Sequence, residues 1–290
     1  MKFLVLFLAL LAKWRLPLPQ FELKSLSVAR WQRGINLLPW VRNNTGFLAY
    51  FFMAVFPVLV IAPAFYYADR YAWGLPSFFL ETGLLIYILL HVDVSQHLQH
   101  YRERLQQNDL VSAYQCAERH LALPYMPINQ GLAMNEQVIR ALLMRWFENF
   151  FFVVFWYLVA DVAGLLLAWL TVQFSYLQPH NKFTEKALHW LGFIPARVLA
   201  ITFGLAGNLL ATLPTWKEQF FNWKITNADF LFIIAEQAVA ADSQKCQQSS
   251  ETDDINAALC ELKEWEHLHL RCLSILMVMV AVATLGGWLV

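Results

Sequence analysis

RWFENFFFVVFWYLVADVAGLLLAWLTVQF, residues Arg145 to Phe174, is the stretch whose reading decides the fold. From Phe150 to Phe174 the only charge is Asp161 and the only amide is Gln173. A bilayer's hydrocarbon core takes roughly 20 apolar residues of helix, whereas a helix on a soluble core keeps a polar face. The stretch therefore predicts a membrane span over 150–174 with one acid near its middle, an acid that must face protein or water. Two chain paths fit these residues. The run either crosses the bilayer or folds back between Asp161 and Gly164, and only the second brings Pro195, Ala196 and Arg197 beside Glu148.

Composition points the same way. Charged residues make up 14% of the chain, against about 25% in soluble domains, and mean hydropathy is +0.45. Net charge is zero, so there is no basic field for nucleic acid. Cys116, Cys246, Cys260 and Cys272 show no CxxC and no zinc spacing, which predicts free thiols in a reducing compartment.

Outward from the central run, the apolar stretches predict spans over 3–18 (short, or interfacial), 47–67, 75–92, 188–212 and 273–290. Pro57 and Pro63 predict kinks in the second of these, and Pro76 suits the first turn of the third. Between the spans lie segments 13–45, 93–145 and 214–272. The first mixes cations with Trp14, Trp31 and Trp40, as in a segment lying along headgroups. The others place apolar residues at helical spacing, notably Leu98, Tyr101 and Leu105, then Leu110, Ala113, Tyr114, Ala117 and Leu121, then Ile255, Leu259, Leu262 and Trp265. Asn135 reads as a helix cap, and the polar SQKCQQSSETDD, Ser243 to Asp254, as a flexible linker.

These three segments carry six, five and five Lys or Arg, against one in 67–74 and two in 175–187. Under the positive-inside rule the richer set is cytoplasmic, and with alternating spans both termini are outside. The fold class expected is an all-α, polytopic helical membrane protein with cytoplasmic amphipathic helices.

Few residues could carry chemistry. Glu148 and Asn149 set a carboxylate and an amide side by side at the mouth of the central run. Asp161 invites either a pathway role or a structural pairing, with Arg197 as the natural partner, and Glu81 is similar. Asp93, His97 and His100 fall on one helical face, but nothing completes a coordination sphere, so no metal is expected. There is no GxGxxG, Walker loop or GxSxG, and no cofactor is expected. The partners expected are the lipid bilayer and, on the cytoplasmic side, a protein or small ligand.

Two longer stretches carry a resemblance: FENFFFVVFWYLVADVAGLLLAW, and HWLGFIPARVLAITFGLAGNLLATLPTW from His189. With Phe155-Trp156, Gly164, Pro195-Ala196-Arg197 and Asn208 to Trp216, and with LLAKWRLPLP and QQNDLVSAYQCAERHL outside them, the chain resembles the AmpE family. That resemblance implies an inner-membrane protein of Gram-negative bacteria connected with β-lactamase regulation and cell-wall stress, itself similar to the CobD/CbiB cobalamin-pathway synthases. Glu148-Asn149 matches the acidic-Asn pair of those ATP-dependent, amide-forming enzymes. Their Asn-Thr-Leu-Asp-Ser type motif has no counterpart in SYLQPHNKFTEKALHW, nor does their N-terminal motif appear. The resemblance thus implies a signalling modulator with ligand- or partner-binding candidates Glu148, Asn149, Asp161, Pro195 and Arg197. A residual synthase and a carrier built around Asp161 are the alternative readings.

Overall fold

The computed structural model describes residues 2–15, 31, 34, 46–69, 75–90, 94–107, 110–121, 131–178, 181–249 and 254–287. Among them every regular element is a helix. We number these α1 (Lys2–Arg15), α2 (Phe47–Tyr50, continuing through a π turn at Phe51–Val55 into Phe56–Asp69), α3 (Leu75–Leu90), α4 (Val94–Gln106), α5 (Leu110–Leu121) and α6 (Gly131–Trp146). A π turn at Phe147–Phe151 leads into α7 (Phe152–Leu177), followed by α8 (Lys182–Ala206), α9 (Leu209–Gln219), α10 (Asn227–Ser249) and α11 (Asp254–Leu285). Four stretches are long and apolar enough to cross a membrane: Phe47–Phe65, Asn135–Leu177, Lys182–Ala206 and Asn256–Leu285. Most of the basic segment 13–45 lies outside the described residues.

The π turn in α2 sits just ahead of Pro57. Proline has no N–H and its ring crowds the carbonyl four residues back. Widening the preceding turn by one residue relieves that clash without breaking the helix. Pro76 occupies the first turn of α3, where its missing N–H removes nothing.

The chain divides into two compact units, one comprising Met1–Val92, Glu148–Pro195 and Val280–Val290, the other Asp93–Phe147 and Ala196–Met279. In the first unit α1 packs along α3 and buries Val5, Leu6 and Ala9, while α3 buries Leu85, Ile88 and Leu89. The centre of this unit is α7, which is not one helix. Ala160 (φ −131°, ψ 26°) and Asp161 (φ 52°, ψ −148°) leave helical geometry, and the chain reverses there. The proof is a contact: the Tyr176 hydroxyl donates to Glu148 across 2.6 Å, although 28 residues of straight helix would separate them by about 42 Å. The run the sequence offered as a crossing is therefore a helical hairpin.

Gly164 permits the reversal. A Cβ there would meet the Trp156 carbonyl oxygen at 2.3 Å and the Ala160 Cβ at 2.8 Å, so only glycine lets the arms approach so closely. At the tip, Asp161 sits in the positive-φ region that most residues avoid. Its carboxylate is paired with Lys2 at 2.6 Å, and Lys2 also reaches the Leu158 carbonyl. Further polar contacts tie the hairpin to its neighbours. Tyr157 donates to Glu81 at 3.1 Å, Tyr50 and Thr171 share a bond of 3.0 Å, and Phe183 rests against Phe47 and Tyr50.

The second unit is a helical cluster with a core of its own. Tyr101 and Leu105 of α4, Ala113, Tyr114 and Ala117 of α5, Val138 and Ile139 of α6, Phe232 of α10 and Leu262 of α11 form its core. Of the periodic residues of the sequence, Tyr101, Leu105, Ala113, Tyr114, Ala117 and Leu262 thus face inward, with Leu259 and Trp265 packed at the edge; the side chains of Leu98, Leu110, Leu121 and Ile255 lie outside the described residues. Asn135 is not a cap, because α6 begins at Gly131. Its buried amide instead donates to Glu261 (2.8 Å) and accepts from the Tyr101 hydroxyl (3.3 Å), joining α4, α6 and α11. Burial first, and then the nearby Glu261 carboxylate, push the Tyr101 phenol well above its usual range, which keeps it a donor. Helix α10 continues to Ser249, so the first half of the expected linker is helical. Cys272 is a buried free thiol, but Cys260 is disulfide-bonded, against the expectation of four free cysteines. Spacing along the chain does not report closeness in space. The side chains of Cys116 and Cys246 lie outside the described residues.

Candidate functional site

Glu148 and Asn149 fall inside the π turn that opens the hairpin. Both are buried, Glu148 being 8% exposed. Burying a carboxyl group is costly unless a donor reaches it. The Tyr176 hydroxyl is such a donor, and the Asn149 amide in turn donates to that hydroxyl at 3.2 Å. At 2.6 Å the bond from the phenol is short for an O–H···O contact. The result is a directed chain, amide to phenol to carboxylate, at the open end of the hairpin. Tyr176 is 37% exposed, so the middle of the chain lies near the surface of its unit while both ends are buried.

The adjacent Glu-Asn pair was legible from the sequence, and Tyr176 was not. It lies beyond the apolar run, in what reads as an exit loop, and becomes a partner only because the run reverses. The one available signal was an acid followed three residues later by glycine in the middle of a greasy helix.

Asp161 is not buried at mid-span. It occupies the hairpin tip with its side chain 63% exposed, and its partner is Lys2 rather than Arg197. Arg197, 2% exposed, belongs to the second unit, where its guanidinium has structural work. It donates to the Asn227 side chain (3.0 Å) and to the carbonyls of Phe220 and Asn222 (both 3.4 Å), and lies 4.5 Å from the Phe230 ring centre. Those carbonyls belong to the C-terminal end of α9, where a cation is electrostatically favoured, while Asn227 opens α10.

Pro195 acquires a physical role of its own. Without an N–H it leaves the Leu191 carbonyl, four residues back, without its helical donor, and the Trp156 indole N–H donates to that oxygen at 3.2 Å. Two sequence marks that looked independent are thus one bond. Trp156→Phe is expected to destabilise by about 1–2 kcal/mol, since it orphans a buried acceptor. Pro195→Ala in the same chain is expected to recover most of that by restoring the helical N–H. Thermal unfolding of the single and double variants checks it, and a double variant no better than Trp156→Phe alone overturns it.

Among the described residues there is no cluster of three metal-capable side chains; Asp93 and the side chains of His97 and His100 lie outside them. The second unit also holds a pocket of about 80 Å³ lined by Leu142, Trp146, Phe203, Trp265, Glu266 and His269, among others; of these six the sequence reading had marked Trp265, and only as part of an apolar face.

Compared with known proteins, residues 31–290 match the family model described as regulatory signalling modulator protein AmpE. No curated protein and no solved structure matches.

Proposed function

The chain belongs to the AmpE family, and from that premise we propose an inner-membrane signalling modulator, acting in the response to cell-wall stress or β-lactams, that receives its ligand or partner at Glu148, Asn149 and Tyr176. The hairpin enters the bilayer from the cytoplasmic side and returns to it. Segments 13–45, 93–145 and 214–272 carry most of the Lys and Arg, in keeping with a cytoplasmic location. The fold-back removes one crossing from the alternating topology, so 175–187 joins the same side as 93–145.

The observation that carries this reading is the bond from Tyr176 to Glu148. A carboxyl group buried at the mouth of a membrane hairpin is expensive to maintain, and polar groups kept at that cost are more often functional than incidental. An acceptor carboxylate beside an amide suits a ligand that offers hydrogen-bond donors or positive charge. The residual synthase reading would draw on the same carboxylate to hold Mg²⁺ and ATP.

The test is an antibiotic-induction assay in a deletion strain complemented with Glu148→Gln or Tyr176→Phe. Tyr176→Phe removes the hydroxyl that donates to Glu148, a bond worth about 0.5–1.5 kcal/mol, whereas Glu148→Gln removes the carboxylate and keeps an accepting oxygen. Loss of modulation is expected in both, with membrane levels near those of the parent and melting lowered by no more than that one bond. Unchanged modulation in both variants rejects the site. ATP with Mg²⁺ bound by the purified protein and lost in Glu148→Gln would favour the synthase. The topology has its own check. Ser175→Cys is expected to resist an impermeant maleimide in cells whose outer membrane alone has been opened, and to react once the inner membrane is breached.

A further inference from the structure

We infer that α9 and the turn after it form an in-plane membrane anchor, seating the helical unit on a lipid surface through contacts of its own. The argument begins with the two faces of α9. Thr212 is buried, and the Trp216 indole N–H donates to the Arg197 carbonyl at 3.1 Å, so one face packs on the protein. The other carries Leu210, Pro214 and, after the helix ends, Phe221. Their spacing of four and then seven residues keeps one side of a 3.6-residue period, and Phe220 at the C-cap retains helical angles (φ −56°, ψ −44°).

This outward face is apolar where a water-facing helix would be polar. Leu210 is 86% exposed, Phe221 73% and Trp223 52%. Lys217 and Lys224 are exposed beside them, with Glu218 as the acid of the segment. The exposure does not come from a slack loop. Arg197 grips the Phe220 and Asn222 carbonyls, the Asn222 amide donates to Gln219 at 2.8 Å, and the Lys224 N–H donates to the Asn222 side chain at 3.1 Å. A braced turn that holds Phe and Trp outward is a built surface.

A lipid surface is the occupant that fits. Indoles prefer the headgroup boundary, and lysines reach from it to phosphate. An apolar face flanked by lysine and aromatic residues is the pattern of helices lying in that plane. Protein interfaces, by contrast, are depleted in lysine. The patch is also continuous along the chain with Ile201 and Leu205, which are exposed on α8, so the apolar surface does not stop at the break of Gly207 and Asn208.

The experiment uses the full chain in nanodiscs of phosphatidylcholine with one quarter phosphatidylglycerol. Phe221→Cys and, separately, Leu210→Cys carry an environment-sensitive NBD label, with the labelled parent subtracted. Both labels are expected to emit at shorter wavelength than in water, to be quenched by lipids brominated high on the acyl chain and to resist iodide. Replacing Lys217 and Lys224 together by Gln should remove the dependence of that quenching on phosphatidylglycerol. Iodide-accessible labels at both positions overturn the proposal. So does a label shielded from iodide and bromolipid alike, which would mean a protein partner or a second copy of this chain. None of these readouts depends on Glu148 or on a signalling role.

Discussion

Gly164→Leu is expected to break the hairpin. The Cβ of any replacement would sit 2.3 Å from the Trp156 carbonyl oxygen and 2.8 Å from the Ala160 Cβ, and neither can rotate away, because one is backbone and the other is a methyl fixed to it. Overpacking of this kind costs about 3 kcal/mol even where neighbours can shift. Here the arms must separate, and with them the 2.6 Å bond between Tyr176 and Glu148. The readout is a cross-link. Asn149→Cys with Tyr176→Cys is expected to be bridged readily by a short bifunctional thiol reagent in the parent, the side chains meeting at their tips rather than at disulfide distance, and poorly when Gly164 is replaced, and the melting temperature in detergent should fall in parallel. If the cross-link forms equally well in both, the reversal at Ala160 and Asp161 is not what brings these residues together.

Arg197 supplies the second large effect. At 2% exposure it is screened by almost no solvent, and it serves three acceptors: the Asn227 side chain and the Phe220 and Asn222 carbonyls. Arg197→Leu removes all three donors at once. With the buried Asn227 acceptor orphaned at a cost of about 1–3 kcal/mol and the two part-buried carbonyls at less, a loss of roughly 3 kcal/mol is expected, together with faster proteolysis within Phe220 to Ile225. Arg197→Lys should recover less than half, since an ammonium cannot spread over acceptors that a planar fork reaches together. A ligand-binding arginine would behave differently: its loss would abolish binding or regulation while the protein melted normally. Unchanged melting and protease resistance in Arg197→Leu would return this residue to the list of binding candidates.

The two predictions mark where the sequence was and was not sufficient. Arg197 is conspicuous in an apolar segment, and its importance could be read directly. Its partners could not, because Phe220, Asn222 and Asn227 come near only when α9 turns the chain back. Asp161 was equally conspicuous, and the expected pairing with Arg197 gave way to Lys2 once the acid moved from mid-span to a tip. Tyr101, Leu105, Ala113, Tyr114, Ala117 and Leu262 were read correctly as an inward face, since a 3.6-residue repeat is a local property of an amphipathic helix.

By itself, then, the sequence determined that this protein is helical, that it belongs in a membrane and which residues of its amphipathic helices face inward, for these follow from apolar content and local period. Only the tertiary structure decided that the longest apolar run is a hairpin, that Glu148 meets Tyr176 and that Trp156 serves the carbonyl vacated by Pro195. The physical reason is that solvent transfer depends on composition over a window, whereas a reversal depends on whether two backbones fit together at a single glycine.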